Sequence, residues 1–227
     1  MYEKFGQFID GKWSPSSNKE TYEVINPATE EVLGHASKAT PADVDRALKS
    51  AEKGLAIWRK TPPWQRAYTL RKIADKVREK KDVLAKWMTL ENGKPLAEGV
   101  GETNGAADIF EWNAEETKRI YGQIVESRFE DTRVHVYYQP VGVVAALSPW
   151  NFPLILAARK ISTALAAGCS VIIKPDTITP GVVMELVDIC RECGVPPGAV
   201  NLLSGDPPSI ASQLIQSDII KKISITG

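Results

Sequence analysis

One segment combines residue types and spacing that point to chemistry: Ser148-Pro149-Trp150-Asn151-Phe152-Pro153. Prolines fix the backbone on both sides of an amide and an indole. A carboxamide can donate two hydrogen bonds to an oxygen that gains negative charge, which makes Asn151 a candidate oxyanion donor. On spacing alone the competing reading is a Pro-bounded turn around a packed Trp150. Other chemistry-bearing residues are sparse. Cys190 and Cys193 have C-x-x-C spacing, but they fall at the C-terminal end of a predicted helix, where no N-terminal dipole lowers a thiol pKa. They read as structural. Cys169, in a turn before an apolar strand, reads as a small core residue. His35 reads as a loop residue and His135 as an ordinary strand residue, neither with a partner that would make it a ligand or base. The G-x-G-x-x-G, G-x-x-x-x-G-K-[ST] and G-x-S-x-G patterns are missing, and Cys and His are too scattered for a zinc site.

The elements around these residues follow from periodicity. Phe8 to Trp13 reads as a hairpin turning on Asp10-Gly11. Thr40-Pro41-Ala42-Asp43 is a helix start, with Thr40 as N-cap and Pro41 at the first helical position. Val44, Ala47, Leu48, Ala51 and Leu55 then recur at helical spacing. A second helix begins at Pro63, a third ends at Asn92-Gly93, and a fourth runs from Pro95 to Tyr121. Residues 133–138 alternate as a strand. From there strands and helices take turns: Val141–Leu147, helix 154–167 stopped by Gly168, Ser170–Lys174, helix 180–193 stopped by Gly194, Ala199–Leu203, helix 207–216 and Lys222–Thr226. Continuous apolar strands alternating with helices predict an α/β protein with a parallel sheet covered on both faces. Such sheets bind ligands beyond the carboxyl ends of their strands. The positions to watch are therefore 148–153, 174–177, 204–206 and 226–227. Gly227 follows the last strand directly, which reads as a chain cut short with an uncovered edge.

Composition narrows the function classes. With 28 Lys+Arg against 28 Asp+Glu, the chain has no net charge to attract nucleic acid or an anionic membrane. No purely apolar stretch outruns Val143–Leu147, far below the roughly 20 residues of a membrane helix. The charged start MYEKFGQFID lacks the apolar run of a secretory signal, so a cytoplasmic location is expected.

Taken in order, Pro149-Trp150-Asn151-Phe152-Pro153, Ala164 to Cys169 leading to Ile173-Lys174-Pro175, Thr179-Pro180, Gly194 to Asn201 and Ile225-Thr226-Gly227 strongly resemble the aldehyde dehydrogenase superfamily from Phe8 to Gly227. The resemblance implies an incomplete aldehyde dehydrogenase fold. A Rossmann-like cofactor-binding domain would comprise residues 1–121 and 139–227, and an oligomerisation hairpin residues 122–138 of a homodimer or homotetramer. It also implies oxidation of an aldehyde by NAD(P) through a cysteine thiohemiacetal and thioester. The nucleophilic cysteine and the glutamate base would lie beyond residue 227, so this segment alone would be inactive. Asn151 matches the oxyanion donor, and Ser148, Trp150, Lys174, Thr177, Gly205 and Gly227 match the cofactor path. No metal is implied.

Lys174 matches the lysine that takes the adenosine ribose or the 2′-phosphate of NADP. Three residues on, where NAD-preferring members commonly carry a glutamate, stands Thr177, with Asp176 beside it. A hydroxyl can donate to a phosphate that a carboxylate would repel, which favours NADP, unless Asp176 turns inward and restores NAD. Pro208 and Ala211 stand where glycines often flank the adenine. Arg159-Lys160 and Ala114 to Gly122 are similar to the succinate-semialdehyde branch. Arg159 would there grip the distal carboxylate of an ω-carboxy aldehyde with two parallel bonds, against the plainer reading of a helix-surface ion pair. The alternative function is a non-catalytic nucleotide-binding or interaction fragment.

Overall fold

The computed structural model describes residues 2–227. The opening hairpin pairs β1 (Gln7–Ile9) with β2 (Lys12–Ser14). Its two-residue turn puts both Asp10 (φ 54°) and Gly11 (φ 76°) in the left-handed region, as a turn matched to strand twist requires. A second hairpin follows, β3 (Thr21–Ile25) with β4 (Val32–Ser37). It carries no strong alternation, and the sequence reading missed it. His35, expected in a loop, lies in β4 opposite Glu23.

Helix α1 (Pro41–Trp58) starts as predicted. Thr40 Oγ1 accepts the Asp43 N–H at 3.3 Å, and an Asp43 carboxylate oxygen accepts the Thr40 N–H at 2.8 Å. Burial alone would raise the Asp43 pKa. Hydrogen bonds from the Ser17 hydroxyl, the Thr40 and Ser17 N–H groups and Arg46 outweigh it and hold the carboxyl near 2. Helices α2 (Pro63–Glu79), α3 (Lys81–Asn92) and α4 (Leu96–Thr117) come next, and Gly93 closes α3 at φ 76°. The chain then makes a short hairpin, β5 (Gln123–Val125) with β6 (Val134–Val136). Strand structure here is shorter than the alternation over 133–138 suggests.

The rest is βαβ: β7 (Val143–Leu147), α5 (Pro153–Ala166), β8 (Ser170–Lys174), α6 (Pro180–Glu192), β9 (Val200–Leu202), α7 (Pro207–Gln216) and β10 (Ile220–Ile225). The strand order is β10-β7-β8-β9-β1-β2. The four strands from β7 onward are parallel, but β1 joins β9 antiparallel, so the sheet is mixed rather than wholly parallel. Gln7 fastens that junction, its amide donating to the carbonyls of Ser37 and Ser204 and accepting the Ser204 N–H.

Side chains along the sheet alternate between two cores. Val144, Ala146, Val171 and Ile173 face α5 and α6, which are backed by Leu70, Ile73, Leu84 and Phe110 of α2 to α4. Val143, Ala145 and Ile172 face α1 and α7 with Leu48, Ile210 and Leu214. The order places β8 and β9 on one side of β7 and β10 on the other. This reversal is where a doubly wound sheet opens a crevice at its carboxyl edge. No helix among the described residues is long and apolar enough to cross a membrane, and no cluster among them could hold a metal ion.

Candidate nucleotide crevice and oxyanion loop

At that reversal lies a cavity of ≈ 380 Å³ lined by residues from the ends of β7, β8 and β10 and the start of α7: Leu147, Ser148, Pro149, Lys174, Asp176, Pro207, Pro208, Ala211, Ile225, Thr226 and Gly227. Lys174 ends β8 and is only 4% exposed. Burial lowers its ammonium to about 8, although Asp176 and Asp206 pull it back up. The Ser148 N–H donates to the Lys174 carbonyl at 3.2 Å, while its hydroxyl is buried with no protein partner. An unsatisfied hydroxyl and a desolvated cation beside an apolar Pro/Ala shelf are groups that an adenine nucleotide would complete. The site fits a dinucleotide cofactor.

Of the sequence-predicted cofactor residues, Ser148, Lys174 and Gly227 line this cavity and Trp150, Thr177 and Gly205 do not. Thr177 is half-buried beside it, and it is Asp176 that turns toward the crevice. One Asp176 carboxylate oxygen accepts the Ile178 N–H at 3.0 Å, which holds the side chain against its own loop. Gly205 sits behind the lining at φ 139°, where a Cβ would meet the Ala39 backbone N at 2.8 Å. Packing alone accounts for a glycine there.

Beside the crevice the 149–153 loop carries Trp150, Asn151 and Phe152 at the surface. Its backbone is tied down from α3 and the turn after it. Asn92 Nδ2 donates to the Trp150 carbonyl at 2.9 Å, and Lys94 Nζ donates to the Asn151 carbonyl at 3.1 Å. The Asn151 amide is thus exposed on a backbone held from below, the arrangement an oxyanion donor needs.

Of the three helices that start at the site, α7 is capped by Asp206, whose carboxylate accepts the Ser209 N–H, but α5 and α6 lack caps of their own. Phe152 precedes α5 and Thr179 precedes α6, each followed by proline, and neither makes a side-chain cap. Carboxylates from elsewhere supply the missing acceptors. Glu102 of α4 accepts the Leu154 and Ile155 N–H groups at 2.9 and 3.1 Å. Glu91 of α3 accepts the Gly181 and Val182 N–H groups at 2.7 and 3.2 Å, and also the Tyr2 hydroxyl. Sequence reasoning missed both acids. For Glu102 the signal was the Phe152-Pro153 helix start, which no local side chain could cap; Thr179-Pro180 gave no such signal for Glu91.

Glu91 is fully buried, and burial pushes its carboxyl up to about 7 against the pull of its three donors. The folded chain therefore keeps a proton on Glu91 over pH 4.5–7, where the unfolded chain loses it. Stability is then fullest below pH 4.5 and falls as pH rises to 7, by at most about 3 kcal/mol. Urea denaturation at stepped pH reads this slope, and Glu91→Gln flattens it. An equal slope in the variant assigns it to another group.

Arg159 and Lys160 occupy consecutive positions on α5, and both line one groove. Arg159 is exposed, and the groove, of ≈ 340 Å³ with Val141, Val144, Thr163 and Ser224 also in its lining, shares no residue with the nucleotide crevice. Lys160 is buried, and its ammonium donates to the Thr226 hydroxyl at 2.5 Å, joining α5 to the end of β10. Burial and then the neighbouring Arg159 lower its pKa. The cysteines are as expected. Cys190 lies buried inside α6 and Cys193 caps it, and burial raises both thiols away from the reactive thiolate form.

The sequence model described as the aldehyde dehydrogenase family matches residues 13–227. The chain belongs to the aldehyde dehydrogenase family. A glutarate-semialdehyde dehydrogenase of Pseudomonas aeruginosa is 40% identical over 220 residues, covering 97% of this chain and 46% of that protein. An Escherichia coli protein named succinate-semialdehyde dehydrogenase [NADP(+)] is 40% identical over 219 residues, covering 96% and 45%. The crystal structure of a Burkholderia pseudomallei succinate-semialdehyde dehydrogenase superposes with a TM-score of 0.97 at 39% identity, covering 98% of this chain and 46% of that one. The chain thus spans about half the length of the aldehyde dehydrogenases it matches.

Proposed function

We propose that this chain is the cofactor-binding, N-terminal part of an NAD(P)-dependent dehydrogenase that oxidises an ω-carboxy aldehyde, of the succinate- or glutarate-semialdehyde type, to its acid. The observation that carries the reading is the exposed Asn151 amide on a braced loop next to a crevice with a buried, undercompensated cation. Residues 1–121 and 139–227 form the cofactor domain. The 122–138 hairpin, with Ile124, Tyr137 and Tyr138 exposed, serves assembly into a homodimer or homotetramer.

A bound dinucleotide supplies the hydride acceptor. Toward it, Lys174 holds the adenosine ribose or a 2′-phosphate, Ser148 completes a polar contact, and Pro207, Pro208 and Ala211 flank the adenine. Toward the substrate, Asn151 donates to the aldehyde oxygen as it gains charge, and Arg159 takes the distal carboxylate from the neighbouring groove. Thr177 stands outside the lining, and Asp176 at the lining opposes a 2′-phosphate, so the lean to NADP drawn from Thr177 falls away. The cofactor reading is therefore dual use.

The test uses the protein expressed from its full reading frame, with succinate semialdehyde and a neutral aldehyde of matched length. Arg159→Ala is expected to raise KM for the ω-carboxy aldehyde at least tenfold and that for the neutral one less than threefold, the loss of a bidentate charged contact. Equal effects on both dismiss the anchor. Absence of cofactor reduction with either aldehyde dismisses the dehydrogenase reading.

A further inference from the structure

The Asn151 loop is held by a pair of charges that the reaction itself does not use. Lys94 and Glu102 form an ion pair whose side chains are 7% and 2% exposed. Each partner has a second task. Glu102 receives the two N–H groups that open α5, and Lys94 reaches past it to the Asn151 carbonyl at 3.1 Å, with its ammonium 4.1 Å from the centre of the Phe152 ring. The 151–155 segment is thus gripped at four points: the Asn151 carbonyl, the Phe152 ring and the Leu154 and Ile155 amides.

A buried ion pair is an expensive way to fill a core. Apolar side chains of like volume usually serve stability as well or better. What apolar groups cannot do is fix a carbonyl and a helix start at set distances. Turning an amide toward a reacting oxygen requires its backbone to be held to within about half an ångström.

We propose that the Lys94–Glu102 pair is a positioning device for the oxyanion loop, setting the orientation of Asn151 rather than the stability of the fold. The inference rests on the assignment of Asn151 given above. Lys94 and Glu102 line neither the nucleotide crevice nor the Arg159 groove. They act through the Asn151 carbonyl and the first turn of α5.

The decisive variant is the double substitution Lys94→Met/Glu102→Gln in the protein from its full reading frame. It leaves no charge stranded, and the new amide still accepts the two helix N–H groups, so the fold survives. The loop is read by 19F NMR after 5-fluorotryptophan labelling, with the Trp150 signal assigned by its loss in Trp150→Phe. The expected result has several parts: a shifted, narrowed Trp150 signal, an unlowered Tm, single-turnover hydride transfer slowed at least tenfold, and a cofactor Kd within threefold of the parent. Lys94→Arg, which keeps a donor near the carbonyl, is expected to recover part of the rate.

An unmoved Trp150 signal overturns the proposal and leaves the Asn151 assignment standing. So does a joint fall of Tm, cofactor affinity and rate, which marks the pair as core structure. A moved signal with an unchanged rate also overturns it. Asn151→Ala measured alongside tells which statement failed. If that variant too keeps its rate, the oxyanion assignment is at fault; if it is slow, the positioning role is.

Discussion

Asn151→Ala is expected to slow hydride transfer by about 10²–10³-fold in the protein from its full reading frame, the loss that follows when one preorganised oxyanion donor is removed. The rate falls because the aldehyde oxygen becomes negative only as the carbonyl is attacked, so the contact strengthens toward the transition state. Cofactor affinity is expected to change little, because Asn151 is not among the residues that line the crevice. Folding stability stays within about 0.5 kcal/mol, because the truncated amide is exposed and the straps on the loop end on main-chain carbonyls. Single-turnover appearance of reduced cofactor measures the first effect, and urea denaturation the last. A rate within threefold of the parent removes Asn151 from the chemistry.

Much of this site is legible in the sequence, because the signals are local. Thr40-Pro41 and Asp43 announce α1, Asp10-Gly11 announces a turn, and glycines at 93, 168 and 194 end helices in left-handed backbone. Alternation of apolar runs with helical periods placed Ser148 and Lys174 at strand ends. What stayed hidden depended on partners distant in sequence. Glu91 and Glu102 are single acids in helical stretches, and nothing nearby tells that one lies under α6 and the other under α5. The antiparallel seat of β1 on β9 is likewise a contact between residues 8 and 202. Asp176 and Thr177 are adjacent, and only the path of the loop decides which one turns toward the crevice. Local chemistry names the residues at such a site, and long-range packing decides how each is held.

Lys174→Met is expected to move stability and function in opposite directions. The ammonium sits 4% exposed at the end of β8, and burial brings it down to about 8. Holding it charged at pH 7 therefore costs the folded chain up to about 3 kcal/mol, at about 1.4 kcal/mol per pH unit. Between pH 8 and 10.5 the unfolded chain keeps this proton and the folded chain sheds it, so the parent gains stability as pH rises through that window. A methionine of similar length removes the charge and keeps the packing. The variant should be more stable than the parent at pH 7, and the difference should vanish above pH 10.5. Cofactor binding runs the other way. A charge-assisted hydrogen bond contributes about 1.5–3 kcal/mol, so the dinucleotide should bind about 10–150-fold more weakly, with NADP losing more than NAD. Calorimetric cofactor titration beside urea melts at stepped pH reads both halves. A group kept at a cost to folding is one retained for its ligand. If Lys174→Met instead lowers stability and leaves cofactor affinity unchanged, the lysine is part of the scaffold and the crevice must recognise its nucleotide by other groups.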